Sequence, residues 1–265
     1  MVTDVVVVSE LTGFQGLSDP IALYRDVFAL RPTDPAPSPR LLAALAQNGG
    51  IALGAYSGGE LVGFCYGFLG KNLADESAPY HYLELIVVRA DRRNTGIGRL
   101  LMYRLREVCL DHGLHTIHWA YDPLRVDNAH FYLDVLGARG CQYIPNLYGT
   151  ETTGRDRGHR TDRVIAHWNL TASRQDWPQP PAGVCPGVPT IDTETDTVLL
   201  AMPTGECSPG LQAQICVTLK DLITSGFQIV SCRTSADNLT VYRLVADTLR
   251  RDPHRHDVPP RSGPS

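Results

Sequence analysis

Apolar and polar positions along the chain recur with two periods, and together they predict an ordered series of strands and helices. Short runs rich in β-branched and aromatic residues, bounded by turn residues, indicate strands. The predicted strands are residues 4–11, 51–56, 61–69, 82–88, 115–121, 141–144 and 163–170. Apolar residues at helical spacing indicate the helices 21–30, 39–47, 98–111 and 126–136. The predicted order is β, α, α, β, β, β, α, β, α, β, β.

A second unit is predicted after a proline-rich segment. Its pattern is β, α, β, β, with elements at residues 197–202, 211–225, 227–232 and 239–245. A unit of about 50 residues is near the lower limit for a domain that is stable alone, so we expect it to pack on the first unit. We therefore predict an α/β (mixed α+β) protein with a first domain, a linker, a small C-terminal subdomain and a disordered tail. Their bounds are 1–172, 173–190, 191–248 and 249–265.

The most informative stretch is Arg93-Asn94-Thr95-Gly96-Ile97-Gly98, which joins the predicted strand 82–88 to the predicted helix 98–111. Glycine lets the backbone approach a ligand, and the N-terminus of a helix offers unpaired amides and partial positive charge. The stretch therefore predicts a diphosphate site. It lacks the third glycine of a dinucleotide-binding motif and the Gly-Lys-Ser/Thr of a P-loop. The alternative is a plain tight connection.

This stretch resembles the signature of the GNAT superfamily of acyl-CoA-dependent N-acyltransferases, Gln/Arg-x-x-Gly-x-Gly/Ala, and the predicted order of elements is also similar. The resemblance implies a mixed, mostly antiparallel sheet that is splayed between strands 4 and 5 and flanked by helices. It also implies acetyl-CoA or another acyl-CoA as co-substrate. Residues implied in binding it are Arg93, Asn94, Thr95, Gly96, Ile97, Gly98, Arg99, Asn128 and the backbones of Val87 and Val88. Alternatively, Val87 and Val88 are ordinary strand residues.

Glu84 is the candidate general base. A carboxylate inside an apolar strand is costly to bury unless it is paired or functional. The resemblance implies that it deprotonates the amine acceptor through water. The alternative is a structural ion pair with Arg92, Arg93 or Arg99, and the sequence leaves both readings open.

Tyr132 is the candidate general acid, because GNAT enzymes often carry a Tyr on the fourth helix before a Leu-Gly pair. Counted back from Leu136-Gly137, the usual position is Leu133, so Tyr132 is predicted on another helix face. The Asn usually found about two turns earlier is likewise displaced, to Asn128. Packing is the alternative role for Tyr132.

A closer resemblance links most of the chain, to about residue 246, to a bacterial branch of GNAT acyltransferases with a C-terminal extension. The matching residues are Trp119-Ala120-Tyr121-Asp122-Pro123-Leu124, Asn128-Ala129, Leu136-Gly137-Ala138, Tyr143, Asn146-Leu147-Tyr148-Gly149 and Thr161-Asp162-Arg163. The branch implies N-acylation of amino acids, including with succinyl-CoA. Glu84 stands where the branch has His.

The loop 154–163 carries four arginines in an otherwise mildly acidic chain. Arg suits bidentate capture of a carboxylate, so we predict that Arg157 or Arg160 binds an acidic group of the acceptor or of the acyl chain. Asp122 is a further candidate for substrate binding. The alternative is a solvated loop whose charges pair locally.

Composition excludes several other classes of function. The net charge of −4 without a dense basic patch argues against nucleic acid or an anionic membrane as partner. An acidic N-terminus, no apolar span long enough to cross a membrane and seven scattered cysteines favour a cytoplasmic protein with free thiols. His112, His115 and His118 do not share a face, so no metal is predicted.

These patterns predict direct transfer of an acetyl, succinyl or other small acyl group from acyl-CoA to a primary amine of a small molecule, such as an amino acid. No cysteine lies in an evident activated pair, which disfavours a covalent acyl-enzyme. The rival prediction is a non-catalytic acyl-CoA-binding or regulatory protein. A homodimer is compatible with the sequence.

Overall fold

The structure is a computed structural model. The residues that it describes are 5–12, 17–71, 78–150, 158–205 and 207–247. The strands in this part of the chain are β1 (Val6–Glu10), β2 (Ile51–Ser57), β3 (Glu60–Gly70), β4 (Tyr80–Val88), β5 (Thr116–Tyr121), β6 (Arg139–Ile144), β7 (Arg163–Asn169), β8 (Thr190–Asp192), β9 (Thr197–Pro203), β10 (Phe227–Thr234) and β11 (Leu239–Ala246). The α-helices are α1 (Ser18–Val27), α2 (Pro39–Gln47), α3 (Ile97–Asp111), α4 (Val126–His130) and α5 (Pro209–Thr224).

All eleven strands form one sheet in the order β1-β2-β3-β4-β5-β7-β6-β10-β11-β9-β8. Every pair is antiparallel except β4 and β5, which are parallel. The mixed, mostly antiparallel sheet predicted for the first unit is therefore confirmed. Strand β8, which lies where the predicted linker meets the predicted C-terminal subdomain, was not predicted.

Two apolar clusters hold the helices on opposite faces of the sheet. Helices α3, α4 and α5 bury apolar side chains in the larger cluster, with Leu101, Leu133 and Leu219 among its members. Helices α1 and α2 pack in a second cluster against β2, β3 and β4, where Phe64 is fully buried. Ser38 caps α2 by accepting hydrogen bonds from two backbone amides, and Ser208 caps α5 in the same way with one.

The C-terminal strands continue the first sheet at its β6 edge. Gly140 of β6 pairs with Ile229 of β10, and a Cβ at Gly140 would lie 3.1 Å from the Ile229 Cβ. The absence of a side chain at Gly140 thus lets β10 approach. Residues 173–189 precede β8, and within them Val184 packs on the small apolar cluster that β9 and β11 form. The predicted tail, 249–265, lies outside the described residues.

Candidate active site

A gap opens between β4 and β5 because the two strands pair only at their beginnings. The paired residues are His81 with Ile117 and Tyr82 with His118. Beyond Tyr82 the pairing stops, although β4 runs on to Val88 and β5 to Tyr121. The splay that the resemblance implied is therefore present.

A β-bulge at Glu84 marks the place where β4 turns away. Leu83 pairs with Gly67 of β3 and Leu85 pairs with Tyr66, so Glu84 has no opposite residue. Gly67 makes the bulge sterically feasible, because a Cβ there would lie 2.1 Å from the Tyr82 carbonyl oxygen. The bulge also exchanges the two faces of β4. The Leu83 side chain packs in the cluster with α3, whereas the Leu85 side chain packs in the cluster with α1 and α2.

The backbone of β4 offers hydrogen-bonding groups to this gap. The Arg89 amide, just after β4, donates to the carbonyl of Val62 in β3 at 2.9 Å. Because backbone groups in an antiparallel ladder alternate sides, Val87 turns its groups toward β3, whereas Ile86 and Val88 turn theirs toward the gap. Val88 fits the predicted pantetheine contact, Val87 does not, and the sequence missed Ile86.

A cavity of about 130 Å³ lies in the gap, and both candidate catalytic residues, Glu84 and Tyr132, line it. Its lining residues are Leu83, Glu84, Leu85, Ile86, Trp119, Ala120 and Tyr132. A larger cavity of about 490 Å³ lies in the C-terminal part, beside Pro178 and Arg243. Neither Glu84 nor Tyr132 lines the larger cavity, so the smaller one is the candidate reaction site.

Glu84 lies at the edge of the cavity, exposed to solvent on one side and packed against protein on the other. Within the described part of the chain it makes no ion pair, and Arg92 instead approaches Asp91 at 4.0 Å while Arg93 donates to the Val88 carbonyl oxygen at 3.4 Å. The structural ion pair considered from the sequence is thus not formed with these residues. Desolvation by the surrounding protein raises the pKa of Glu84 above its ordinary value, which suits a general base.

Tyr132 reaches the cavity through a π-helical turn, Phe131–Val135, that follows α4. The Leu136 amide donates to the Phe131 carbonyl at 3.1 Å, which is an i to i−5 bond. Such a turn holds one residue more than an α-helical turn and so shifts the register by one. The residue count placed Tyr132 on a different helix face from the usual Tyr position, but the π-helical turn offsets that count, and Tyr132 lines the cavity. Burial raises the pKa of Tyr132 to about 12, so the phenol keeps its proton at neutral pH.

Aromatic side chains support both candidates. The Tyr132 ring packs edge-on against Trp119, with ring centroids 5.0 Å apart. On the other side lie Tyr82 and Tyr148. Burial raises the pKa of each, and the nearby charge of Glu84 raises it further. Trp119, Tyr82 and Tyr148 were not predicted to belong to the site. Side chains alternate between the two faces of a strand, so Trp119 lies on the same face of β5 as Tyr121. This alternation is the sequence signal that could have placed Trp119 beside the site.

The stretch 93–98 forms an open cradle at the start of α3. Asn94 and Gly96 have left-handed backbones, with φ of 60° and 90°. Gly96 is the N-cap of α3 without a side-chain hydrogen bond, and the first turn contains no acidic residue. The first intrahelical bond runs from the Leu100 amide to the Gly96 carbonyl, so the amides of the first turn remain available to an anion.

The other cradle residues leave room for a ligand. Thr95 donates its hydroxyl to the Arg92 carbonyl at 2.6 Å, Ile97 is buried, and Arg93 and Arg99 are exposed. A Cβ at Gly98 would lie 3.9 Å from Phe131, so Ala is also accommodated there, in agreement with the Gly/Ala of the signature. These features fit a diphosphate.

We expect Gly96→Val to abolish measurable CoA binding, because the branched side chain would fill the space predicted for the diphosphate. Nothing lies within 4 Å of a Cβ at Gly96. The matched control is Gly113→Val at the far end of α3, where φ is 72° and the space is equally open. Both substitutions strain a left-handed backbone, at about 1–2 kcal/mol each. Calorimetric titration with CoA should separate them, and equal affinities in the two variants would exclude the cradle.

The remaining predicted residues lie apart from the cavity. Asn128 is exposed on α4. Asp122 accepts a hydrogen bond from the Leu124 amide at 2.8 Å and pairs with Arg125 at 3.6 Å, and it does not line the cavity. Arg160 is exposed and approaches Asp162 at 3.4 Å. Arg157 lies outside the described residues.

The three histidines considered for metal binding are separated. His112 caps the end of α3, His115 is exposed, and His118 stacks between Tyr80 and His167. Among the described residues, no group of three His, Cys, Asp or Glu side chains is arranged to hold a metal ion. In the same part of the chain, the helices are too short or too polar to span a bilayer.

Comparison with known proteins matches residues 21–138 to the acetyltransferase (GNAT) family. A protein from Acinetobacter baylyi ADP1, provisionally described as an acetyltransferase, has a TM-score of 0.51 and 18% identity, covering 66% of this chain and 99% of its own. An N-acetyltransferase from Staphylococcus aureus Mu50 has a TM-score of 0.50 and 15% identity, covering 63% of this chain and 99% of its own. At these identities the structures share the fold. No curated protein matches the sequence.

Proposed function

We propose that this protein moves an acetyl or other small acyl group, such as succinyl, from acyl-CoA to a primary amine of a small molecule. The match of residues 21–138 to the acetyltransferase (GNAT) family supports this proposal. Amino acids are one proposed class of acceptor. The observation that carries the proposal is the cavity between β4 and β5, which both Glu84 and Tyr132 line.

The cavity residues support direct transfer in a ternary complex. Glu84 takes a proton through water from the ammonium form of the acceptor, and the free amine attacks the thioester carbonyl carbon, so that a C–N bond forms. As the C–S bond breaks, the phenol of Tyr132 donates a proton to the departing thiolate. The nitrogen releases its extra proton to water to give the amide, Glu84 returns its proton to solvent, and Tyr132 recovers one from solvent. The backbone groups of Ile86 and Val88 would hold the pantetheine arm in the gap.

Release of free thiol tests this function. Acetyl-CoA and succinyl-CoA should each be incubated with a panel of neutral, cationic and carboxylate-bearing amines. Thiol release that depends on both the acyl-CoA and the amine is the expected result. CoA binding by calorimetry without release from any pair would instead favour the non-catalytic acyl-CoA-binding protein.

We also propose that Arg160 or Arg157 binds a carboxylate of the acceptor or of the acyl group. The exposed pair of Arg160 with Asp162, at 3.4 Å, is of a kind that contributes little, so a substrate carboxylate can compete for the guanidinium. We expect Arg160→Ala and Arg157→Ala to raise KM for carboxylate-bearing substrates about tenfold and to spare neutral ones. Arg139→Ala, which removes an exposed arginine of β6, is the control. Equal changes for both substrate kinds would reject this role.

The compartment and the oligomeric state are further proposals. All seven cysteines are free thiols, which supports the cytoplasm as the site of action. A homodimer is proposed as the working form, and light scattering of the purified protein tests it directly.

A further inference from the structure

The turn that carries Tyr132 is anchored to the C-terminal strands by one buried carboxylate. Asp134, two residues after Tyr132, has a side chain that is only 3% exposed. Its Oδ1 atom accepts hydrogen bonds from Ser231 Oγ at 2.8 Å and Arg233 Nε at 2.6 Å, and its Oδ2 atom accepts one from the Cys232 amide at 2.7 Å. Three consecutive residues of β10 thus hold one side chain of the π-helical turn.

Further contacts fasten the same segment on each side. His130 Nδ1 lies 3.4 Å from Asp134 Oδ2 and 2.8 Å from the Cys232 carbonyl oxygen. Arg174, in the segment before β8, donates to the Asp134 backbone carbonyl at 2.8 Å. The buried hydroxyl of Tyr242 donates to the Pro123 carbonyl at 2.5 Å. The α4 region is therefore held by residues from beyond the matched family domain.

The hydrogen bonds to the Asp134 carboxylate are charge-assisted. Burial would raise the pKa of Asp134, but the hydrogen bonds that it accepts from His130 and β10 lower it below its ordinary value, so the group is ionised at neutral pH. Charge-assisted hydrogen bonds are about twice as strong as neutral ones. A π-helical turn needs such support, because its geometry is rare and occurs mostly as single turns at functional sites.

We propose that Asp134 is a positioning residue: held by Ser231, Cys232 and Arg233, it fixes the π-helical turn so that Tyr132 faces the reaction cavity. The C-terminal strands then serve the reaction, although they contribute no side chain to the cavity lining. This inference rests on the proposed role of Tyr132 as general acid. The anchor itself is a feature of the fold and can be measured without activity.

A double-mutant cycle of Asp134→Asn with Tyr132→Phe tests the proposal. We expect Asp134→Asn to lower kcat about tenfold with little change in KM for acyl-CoA, and to lower it less than about twofold once Tyr132 is Phe. Ser231→Ala, which removes one of the hydrogen bonds, should give a smaller loss with the same dependence on Tyr132. Additive losses in the two backgrounds would overturn the proposal.

A matched control distinguishes positioning from loss of stability. Asp192 forms a second ion pair in the C-terminal strands with the buried Arg243, at an N to O distance of 2.6 Å. Because this pair does not contact α4, Asp192→Asn should lower the melting temperature without lowering kcat. If Asp192→Asn reduces kcat as much as Asp134→Asn does at equal stability, the anchor has no specific role.

An activity-independent measurement separates this inference from the proposed function. In protein labelled with 3-fluorotyrosine, the ¹⁹F signal of residue 132 is identified by its loss in Tyr132→Phe. We expect Asp134→Asn and Ser231→Ala to shift that signal, whereas Asp192→Asn leaves it in place. An unshifted signal in both anchor variants overturns the positioning role. A shifted signal together with full activity of Tyr132→Phe overturns only the role of Tyr132 as acid.

Discussion

Replacing Glu84 with Gln is expected to lower kcat/KM about 10²-fold at neutral pH, because the amide keeps the shape of the side chain but cannot accept a proton. The loss should shrink at high pH, where more of the acceptor amine is already deprotonated. The wild-type rate should fall as the pH drops through the Glu84 pKa, which desolvation raises above the ordinary value, and the variant should lack this step. Initial rates of thiol release from about pH 5 to 9 measure both effects.

The control for this variant is Glu60→Gln. Glu60 is an exposed carboxylate at the start of β3 that pairs with Arg89 at 3.1 Å and does not line the cavity. We expect it to change kcat/KM by less than about twofold, as is usual for an exposed ion pair. A Glu84→Gln enzyme with the wild-type rate at every pH would leave Glu84 a purely structural role at the bulge.

The first unit was predictable because each of its elements carries a local signal. The helix Pro39–Gln47 agrees with the prediction to the residue, since Ser38 and Pro39 mark its start and its apolar spacing is helical. The cradle was equally visible, because Gly96 and Gly98 fall between a continuous apolar strand and an amphipathic helix. Neighbouring residues in the sequence determine this helix and this cradle, and no distant contact changes them.

The site was less predictable, because two irregularities determine it. The bulge at Glu84 depends on the close approach of Gly67 across the sheet, and sequence spacing does not report it. The π-helical turn changes the helix period for one turn, so counting residues back from Gly137 at an α-helical spacing does not report which face Tyr132 occupies. Both irregularities are tertiary features, and both bring a candidate side chain to the cavity.

The position of the C-terminal strands also depends on tertiary contacts. Their β, α, β, β pattern was readable, but their continuation of the first sheet depends on the close contact of Gly140 with Ile229. The carboxylate of Asp134 was hidden for the same reason, because its partners on β10 lie 97 to 99 residues away in sequence. Contacts between residues so far apart leave no pattern in the sequence around either residue.

Replacing Tyr132 with Phe is expected to lower kcat about 10²-fold with little change in CoA affinity. The Phe ring keeps the edge-on contact with Trp119, so the variant should fold, and only the proton donor to the departing thiolate is lost. An acetyl thioester of a more acidic thiol should recover much of the rate, because its thiolate leaves without needing a proton. Steady-state rates with the two thioesters measure this recovery.

Tyr121→Phe is the matched control, since its ring packs edge-on against Tyr132, with centroids 5.7 Å apart, but it does not line the cavity. Its buried hydroxyl has no hydrogen-bond partner among the described residues, so its removal should cost no stability and leave kcat unchanged. The general-acid role requires that Tyr132→Phe lowers kcat whereas Tyr121→Phe does not. It also requires that the thioester of the more acidic thiol reduces the loss of kcat in Tyr132→Phe. Equal deficits with both thioesters would mean that Tyr132 packs the cavity wall without donating a proton.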